Sequence, residues 1–313
     1  MSIAASPHTD SLTYSTHTVA VEGGDLTVAR WGRGGPVILA IHGITASHRE
    51  FLALAEALGN EVQLLAPDLR GRGASRGIPG PWGMRAHAAD MVAVLDHFKL
   101  SRADVVLGHS MGAFIAAVMA AQHPSRAGAL LMADGGLPIM PALPLHRLPF
   151  GEWMIEKLVQ KVLGPALTRL DMSCDSHAAY RDYWRDHPAL KHHWSTYLED
   201  YIDYDLVGNA PELRPATRKS ALLQDVRTQL FEDLVPASLL QLQCPVRFLR
   251  APRGLMNDKP LYPAKRVAKA SRGISQFSAA EVPDTNHYTI LLGGNGARVV
   301  AHEVQALLAE AGR

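Results

Sequence analysis

The sequence predicts an α/β protein: a mostly parallel sheet flanked by helices and interrupted by a helical cap insertion. Three observations predict it. Short, continuous apolar runs such as "PVILAIHG" (36–43), "ADVVLGHS" (103–110) and "AGALLMADGG" (127–136) have the length and composition of strands covered on both faces. Segments with helical spacing stand between them, and strand–helix–strand alternation implies right-handed crossovers and parallel pairing. The rhythm breaks once, near Leu137, and resumes about a hundred residues later.

The elements follow in order. "HTVAVEGGDLTVARWG" (17–32) reads as two short strands joined at Gly23-Gly24. After "PVILAIHG", Ser47 and Glu50 make an S-x-x-E capping box ahead of "EFLALAEAL" (50–58), which has helical spacing. "EVQLLAPD" (61–68) is another buried strand and "MRAHAADMVAVLDHF" (84–98) an amphipathic helix. "ADVVLGHS" leads into the helix "MGAFIAAVMAAQH" (111–123), and "AGALLMADGG" is the next strand. "LPIMPALPLHRLPF" (137–150) then brings four prolines. The stretch to about Pro236 reads as helices and loops without buried-strand runs. Eight of the thirteen tryptophans and tyrosines gather at 151–204, among them Trp153, Trp184, Trp194, Tyr180 and Tyr201. Strand rhythm returns with "CPVRFLRA" (244–251) and "SQFSAAEV" (275–282), and the last helix is "ARVVAHEVQALLAEA" (297–311). The expected organisation is one core domain, residues 1–136 and 237–313, with residues 137–236 as its cap.

Composition narrows the function. The net charge is +1 with both signs interspersed, which excludes the basic stripe of a nucleic-acid binder. The two cysteines, Cys174 and Cys244, are expected to be buried free thiols rather than a disulfide. The polar N-terminus lacks the apolar segment of a signal peptide, and the longest apolar stretches are too short to span a bilayer. A soluble, cytoplasmic protein acting on a small-molecule substrate is expected, with no nucleic-acid or membrane partner; a homodimer is left open. "WGRGGP" and "LGGNGA" are glycine-rich but do not make a phosphate loop, and no histidine or cysteine group has metal spacing. No cofactor and no metal are expected.

The chemistry concentrates at "VVLGHSMGAF" (105–114). A serine at a sharp strand-to-helix turn sits in a strained backbone conformation, and side chains two positions away on either side would collide. Gly108 and Gly112 supply the room, and Ser110 is lifted above the sheet as a candidate nucleophile. The helix that starts at Met111 turns its free N–H groups and positive dipole end toward it. In "AIHGITAS" (40–47) a loop opens after His42-Gly43; the Ile44 N–H is a candidate oxyanion donor and the Met111 N–H the second. His42 itself reads as a structural histidine at a strand end rather than a base. Of fifteen histidines, only His287 in "VPDTNHYTILL" (282–292) combines a late position, a strand end and a loop. It is the candidate general base. "AHEVQA" lacks the second histidine of H-E-x-x-H.

Taken together, "HG" after a strand, "APDLRGRGAS" (66–75), "GHSMG" and "NHYTILL" resemble the α/β-hydrolase superfamily in its branch with a helical cap, over nearly the whole chain. The resemblance implies an eight-stranded-type sheet and a Ser–His–acid triad. Asp68, Arg70, Gly71 and Gly73 match a family loop read as mainly structural. The family's usual acid follows the strand that is here "CPVRFLR", yet "APRGLMNDKP" (251–260) offers no carboxylate before Asp258. The family's second solution, at the end of the strand after the nucleophile helix, falls on Asp134. Asp134 is favoured, with Asp258 and then Asp284 as alternatives. The implied activity is cofactor-independent cleavage of a small, largely apolar carboxylic ester or lactone. C–C bond hydrolysis, and a lyase or ligand receptor using the same pocket, remain open. Serine at the elbow argues against haloalkane dehalogenase and epoxide hydrolase chemistry.

Overall fold

The structure, a computed structural model, describes residues 11–139 and 150–311. The first ten residues and most of the proline-rich stretch, 140–149, lie outside them.

β1 (Tyr14–Val21) and β2 (Gly24–Trp31) form an antiparallel hairpin. The central strands follow: β3 (Val37–Ile41), β4 (Gln63–Pro67), β5 (Ala103–His109) and β6 (Ala127–Ala133). A two-residue ribbon pairs β7 (Leu206–Val207) with β8 (Arg214–Pro215), and β9 (Val246–Arg250) and β10 (Phe277–Glu281) complete the set. The eight-stranded sheet runs β1-β2-β4-β3-β5-β6-β9-β10. Pairing is antiparallel at β1–β2 and β2–β4 and parallel at every other step.

Every residue of β3 and β4 is buried, as a continuous apolar run between two helical layers requires. The two-residue period splits β3: Val37, Leu39 and Ile41 enter the core on one face, Ile38 and Ala40 the core on the other. The first face is covered by α2 (Met84–His97), α3 (Met111–Gln122), α8 (Leu234–Leu239) and α9 (Ala264–Ala270). The second is covered by α1 (Leu52–Leu58) and α11 (Gly294–Ala311). All positions of α3 from Met111 to Ala120 are buried, so its sequence is apolar all round rather than striped. Each large side chain there, such as Phe114 or Ile115, contributes about 1.5–3 kcal/mol. That anchors the helix whose first turn carries the site.

Between β6 and β8 lie α4 (Gly151–Leu170), α5 (His177–Arg185) and α6 (Thr196–Tyr204), and α7 (Lys219–Phe231) follows. Tyr180, Trp184, Tyr201 and Ile202 form a separate apolar cluster with Ala46 and Leu292. Val159, Leu167, Leu222, Val226 and Phe231 form another, against which Ile44 packs. Trp153 is 60% exposed, so not every aromatic of this stretch belongs to its core. The expected boundary at residue 236 falls inside α8, whose Val235 and Leu239 join the core of the sheet. Cys174 and Cys244 are buried and unpaired with each other. Among the described residues no helix is long and apolar enough to cross a membrane.

The expected capping box forms only in half. Ser47 Oγ accepts the Arg49 N–H at 3.3 Å, and a short 3-10 turn, His48–Phe51, precedes α1. The Glu50 side chain does not reach back to Ser47. It is drawn instead to Gly43 and His109, described below.

Candidate active site

β5 ends at His109 and α3 starts at Met111, so Ser110 alone makes the turn, with φ 51° and ψ −118°. A non-glycine residue in such backbone costs about 1–3 kcal/mol, held by the surrounding structure. That structure is specific. A Cβ on Gly108 would meet the Gly112 carbonyl at 2.4 Å, and one on Gly112 would meet the Ile41 carbonyl at 1.9 Å. A Cβ on Gly135 would stand 2.1 Å from the Ser110 carbonyl. The Ser110 N–H donates to Ala133 at 3.0 Å, tying the turn to β6. Ser110 keeps partial exposure among buried neighbours.

His287 comes from the segment between β10 and α10 (Thr289–Leu292). Its Nε2 lies 3.1 Å from Ser110 Oγ and its Nδ1 2.7 Å from Asp134 Oδ2. The carboxylate only accepts, so Nδ1 carries the hydrogen and Nε2 is free to accept from the serine hydroxyl. Asp134 caps β6 with φ 43°, is 1% exposed, and receives the Ala251 N–H on Oδ1 at 3.1 Å. The structure thus brings Ser110, His287 and Asp134 into one relay. It brings neither Asp258 nor Asp284 to Nδ1 of His287, which is taken by Asp134. Burial pushes the His287 imidazole below its ordinary pKa, with the nearby His109 acting in the same direction against the Asp134 carboxylate.

The two N–H groups singled out above border this relay. The Gly43 carbonyl receives the His42 Nδ1–H at 2.8 Å and the Ala46 N–H at 3.2 Å. The Ile44 N–H belongs to the same trans peptide and therefore points the opposite way. The Ile44 carbonyl takes Arg72 Nε at 3.0 Å, which fixes the following peptide. The Met111 N–H is the first of α3 and has no acceptor four residues back, as at any helix start. The Ser110 carbonyl of its own peptide is held by Ala113 N–H at 3.2 Å. His42 has no nitrogen to spare: Nε2 accepts the Leu69 N–H at 3.0 Å. Burial lowers its pKa to about 4, so it stays neutral.

Sequence reasoning missed three neighbours. Glu50 and His109 form a buried pair at 2.9 Å, and His109 Nε2 reaches the His287 carbonyl. Arg72, fully buried, pairs with Asp225 of α7 at 2.5 Å. His109 and Arg72 occupy variable positions of the motifs that were recognised. Asn286 is a fourth support: its side chain caps α10 through the Tyr288 and Thr289 N–H groups and donates to Ala189. Asp68 and Arg70 serve as ties, Asp68 accepting Ala74 N–H and Tyr204 Oη–H, Arg70 gripping Asp90.

Comparison with known proteins shows the family. A family model described as "alpha/beta hydrolase fold" matches residues 36–226. A lipase, LipV, of Mycobacterium tuberculosis is 33% identical over 218 residues, covering 63% of this chain and 80% of that protein. An N-formylmaleamate deformylase of Pseudomonas putida is 31% identical over 212 residues, covering 62% and 71%. The crystal structure of E-2-(acetamidomethylene)succinate hydrolase superposes with a TM-score of 0.74 at 20% identity, over 95% of this chain and all of that one. At that identity the likeness speaks to the fold.

Proposed function

The chain belongs to the α/β-hydrolase fold family and is a hydrolase; on that premise we propose that it cleaves a small, largely apolar carboxylic ester or lactone through an acyl-enzyme. One observation carries the proposal: the unbroken relay from Ser110 Oγ through His287 to Asp134, at 3.1 Å and 2.7 Å, on a strained elbow. Ser110 attacks the carbonyl carbon while His287 Nε2 takes its proton and then returns it to the leaving alcohol. Asp134 holds the Nδ1–H tautomer and stabilises the imidazolium. The Ile44 and Met111 N–H groups receive the oxyanion; losing one such donor costs on the order of 10²–10³ in kcat. Water, activated by His287, then releases the acyl group.

The helices α4 to α7 form the lid in this reading. Ile44 packs against the α4–α7 cluster, and Tyr288, next to His287, packs against the α5–α6 cluster. A lid that touches both the oxyanion loop and the base is placed to select the acyl group. A second reading has a specific observation in its favour: the deformylase relative acts, by its name, on an N-formyl compound. The discriminating experiment is a screen of esters, lactones, N-formyl amides and diketones, with product analysis, on wild type and Ser110→Ala. Serine-dependent alcohol release from esters or lactones supports the proposal. Turnover confined to N-formyl amides replaces it with the second reading, and turnover confined to the diketones replaces it with C–C bond hydrolysis. Binding without turnover replaces both with a receptor.

A further inference from the structure

Glu50 and His109 take no part in the chemistry just proposed, yet they are built into its centre. Both are buried, at 3% and 2% exposure. His109 Nε2 stands 2.9 Å from the main-chain carbonyl of His287, an atom that only accepts, so Nε2 carries a hydrogen. His109 Nδ1 stands 2.9 Å from Glu50 Oε1, and Glu50 Oε2 accepts the Gly43 N–H at 3.1 Å. A carbonyl on one side and a carboxylate on the other call for both ring hydrogens, which makes His109 an imidazolium paired with a carboxylate. Burial opposes both charges, and their mutual attraction outweighs it: the His109 pKa is raised and that of Glu50 lowered.

The connections of this pair are what give it a role. His109 precedes the nucleophile on the rigid end of β5 and grips the backbone of the residue that supplies the base. Glu50 grips Gly43, the residue before the oxyanion donor Ile44. Elbow, base loop and oxyanion loop are thus tied at one ion pair. The His109 and His287 rings stand 4.8 Å apart, centroid to centroid. Other titratable groups around the two rings are Asp134, His42, Tyr201 and Tyr288. Burial keeps both tyrosines neutral, and His42 is neutral as well. The charges beside His287 are those of Asp134, Glu50 and His109.

We infer that Glu50 and His109 are positioning residues for the base: they fix the His287 main chain and hold a positive ring against its imidazole, which keeps it unprotonated and ready to accept the serine proton. This assignment of purpose rests on the serine-hydrolase reading above.

The test reads ring protonation directly in the full-length protein. Histidine is labelled with ¹⁵N, the His109 and His287 signals are assigned by single substitution, and both are followed over about pH 5 to 9, the range spanning an ordinary histidine. In parallel, Ser110 is labelled with a fluorophosphonate across the same range. In wild type, His109 keeps both ring hydrogens through neutral pH and His287 titrates below its ordinary value. In His109→Gln the side-chain amide can still donate to the His287 carbonyl but carries no charge. The His287 midpoint then rises by about one unit, and the acid limb of labelling rises with it. If that variant does not fold, the near-isosteric Glu50→Gln serves: His109 then loses one ring hydrogen at neutral pH. A singly protonated His109 in wild type overturns the inference. So does an unmoved His287 midpoint in His109→Gln with labelling slowed equally at every pH, which is what a merely structural role gives. Expected titrations without any labelling of Ser110 overturn the hydrolase reading instead.

Discussion

Replacing Asp134 by Asn tests the relay through the hydrogen-bond inventory of a single side chain. Asp134 Oδ2 accepts the His287 Nδ1–H and Oδ1 accepts the Ala251 N–H. An amide has one acceptor oxygen and one donor nitrogen, so it cannot satisfy both. Turned with its oxygen toward His287, it sets its NH₂ against the Ala251 N–H, a main-chain donor that β9 holds in place. Turned the other way, its NH₂ faces Nδ1 and forces the hydrogen onto Nε2, the atom that must accept from Ser110. The second arrangement leaves no donor opposed to a donor and is the one expected. The base is then in the wrong tautomer and kcat falls about 10⁴-fold, or about 5.4 kcal/mol of lost transition-state stabilisation. The assay is initial rates on an activated ester, with thermal melting as the control for folding. Asp258→Asn, at an exposed carboxylate that does not pair with Nδ1, should stay within about twofold of wild type, as surface changes do. A loss below tenfold for Asp134→Asn with an intact melt, or a larger loss for Asp258→Asn, would refute the reasoning.

Other consequences follow from the same geometry. Gly135→Ala places a Cβ 2.1 Å from the Ser110 carbonyl, so it should lower both the melting temperature and kcat, whereas Gly77→Ala, whose Cβ meets nothing, should lower neither. Because His42 is held neutral at a pKa of about 4, its unfolded form binds more protons below pH 6.5, and stability falls as pH drops from 6.5 toward 4. Between pH 7 and pH 4.5 the His42 contribution to that fall is about 2.4 kcal/mol, read from urea unfolding free energies of wild type and His42→Asn at the two pH values. Since His287 must be neutral to accept a proton and its pKa is lowered, kcat/KM should stay level down to its ordinary value and decline only below it; a decline beginning above about pH 7 would contradict a depressed base. Trimming Ile44, the contact between the oxyanion loop and the lid cluster, to Val should shift the ratio of activities on short and long acyl esters by up to about tenfold, and an unchanged ratio assigns that contact to folding alone.

Much of this was legible in the sequence because the relevant signals are local. The apolar runs of β3, β5 and β6 are strand-length and buried on both faces, so composition alone marks them. G-x-S-x-G is legible because each glycine answers a contact within a few residues or at the adjoining strand, as at Gly108 and Gly112. Asp134 was reachable from its place at a strand tip. What stayed hidden depends on partners distant in the chain. S-x-x-E at 47–50 has capping spacing, and Ser47 does cap, but the Glu50 carboxylate is taken by His109, fifty-nine residues on. Local spacing cannot show that competition. Arg72 meets Asp225 across a still larger separation, and its place as a variable position in a loop motif gave no signal. The β7–β8 ribbon has two residues per strand, too few for any alternation to register.

The central claim is that Ser110 becomes acylated, and intact-mass analysis with peptide mapping tests it most directly. The protein is treated with a fluorophosphonate and, separately, acid-quenched during turnover of an activated ester. The relay predicts a single adduct on the peptide carrying Ser110 in both cases, none in Ser110→Ala, and slow formation in Asp134→Asn. A protein that turns over ester without any adduct on Ser110, or that carries the adduct on another residue, would contradict it.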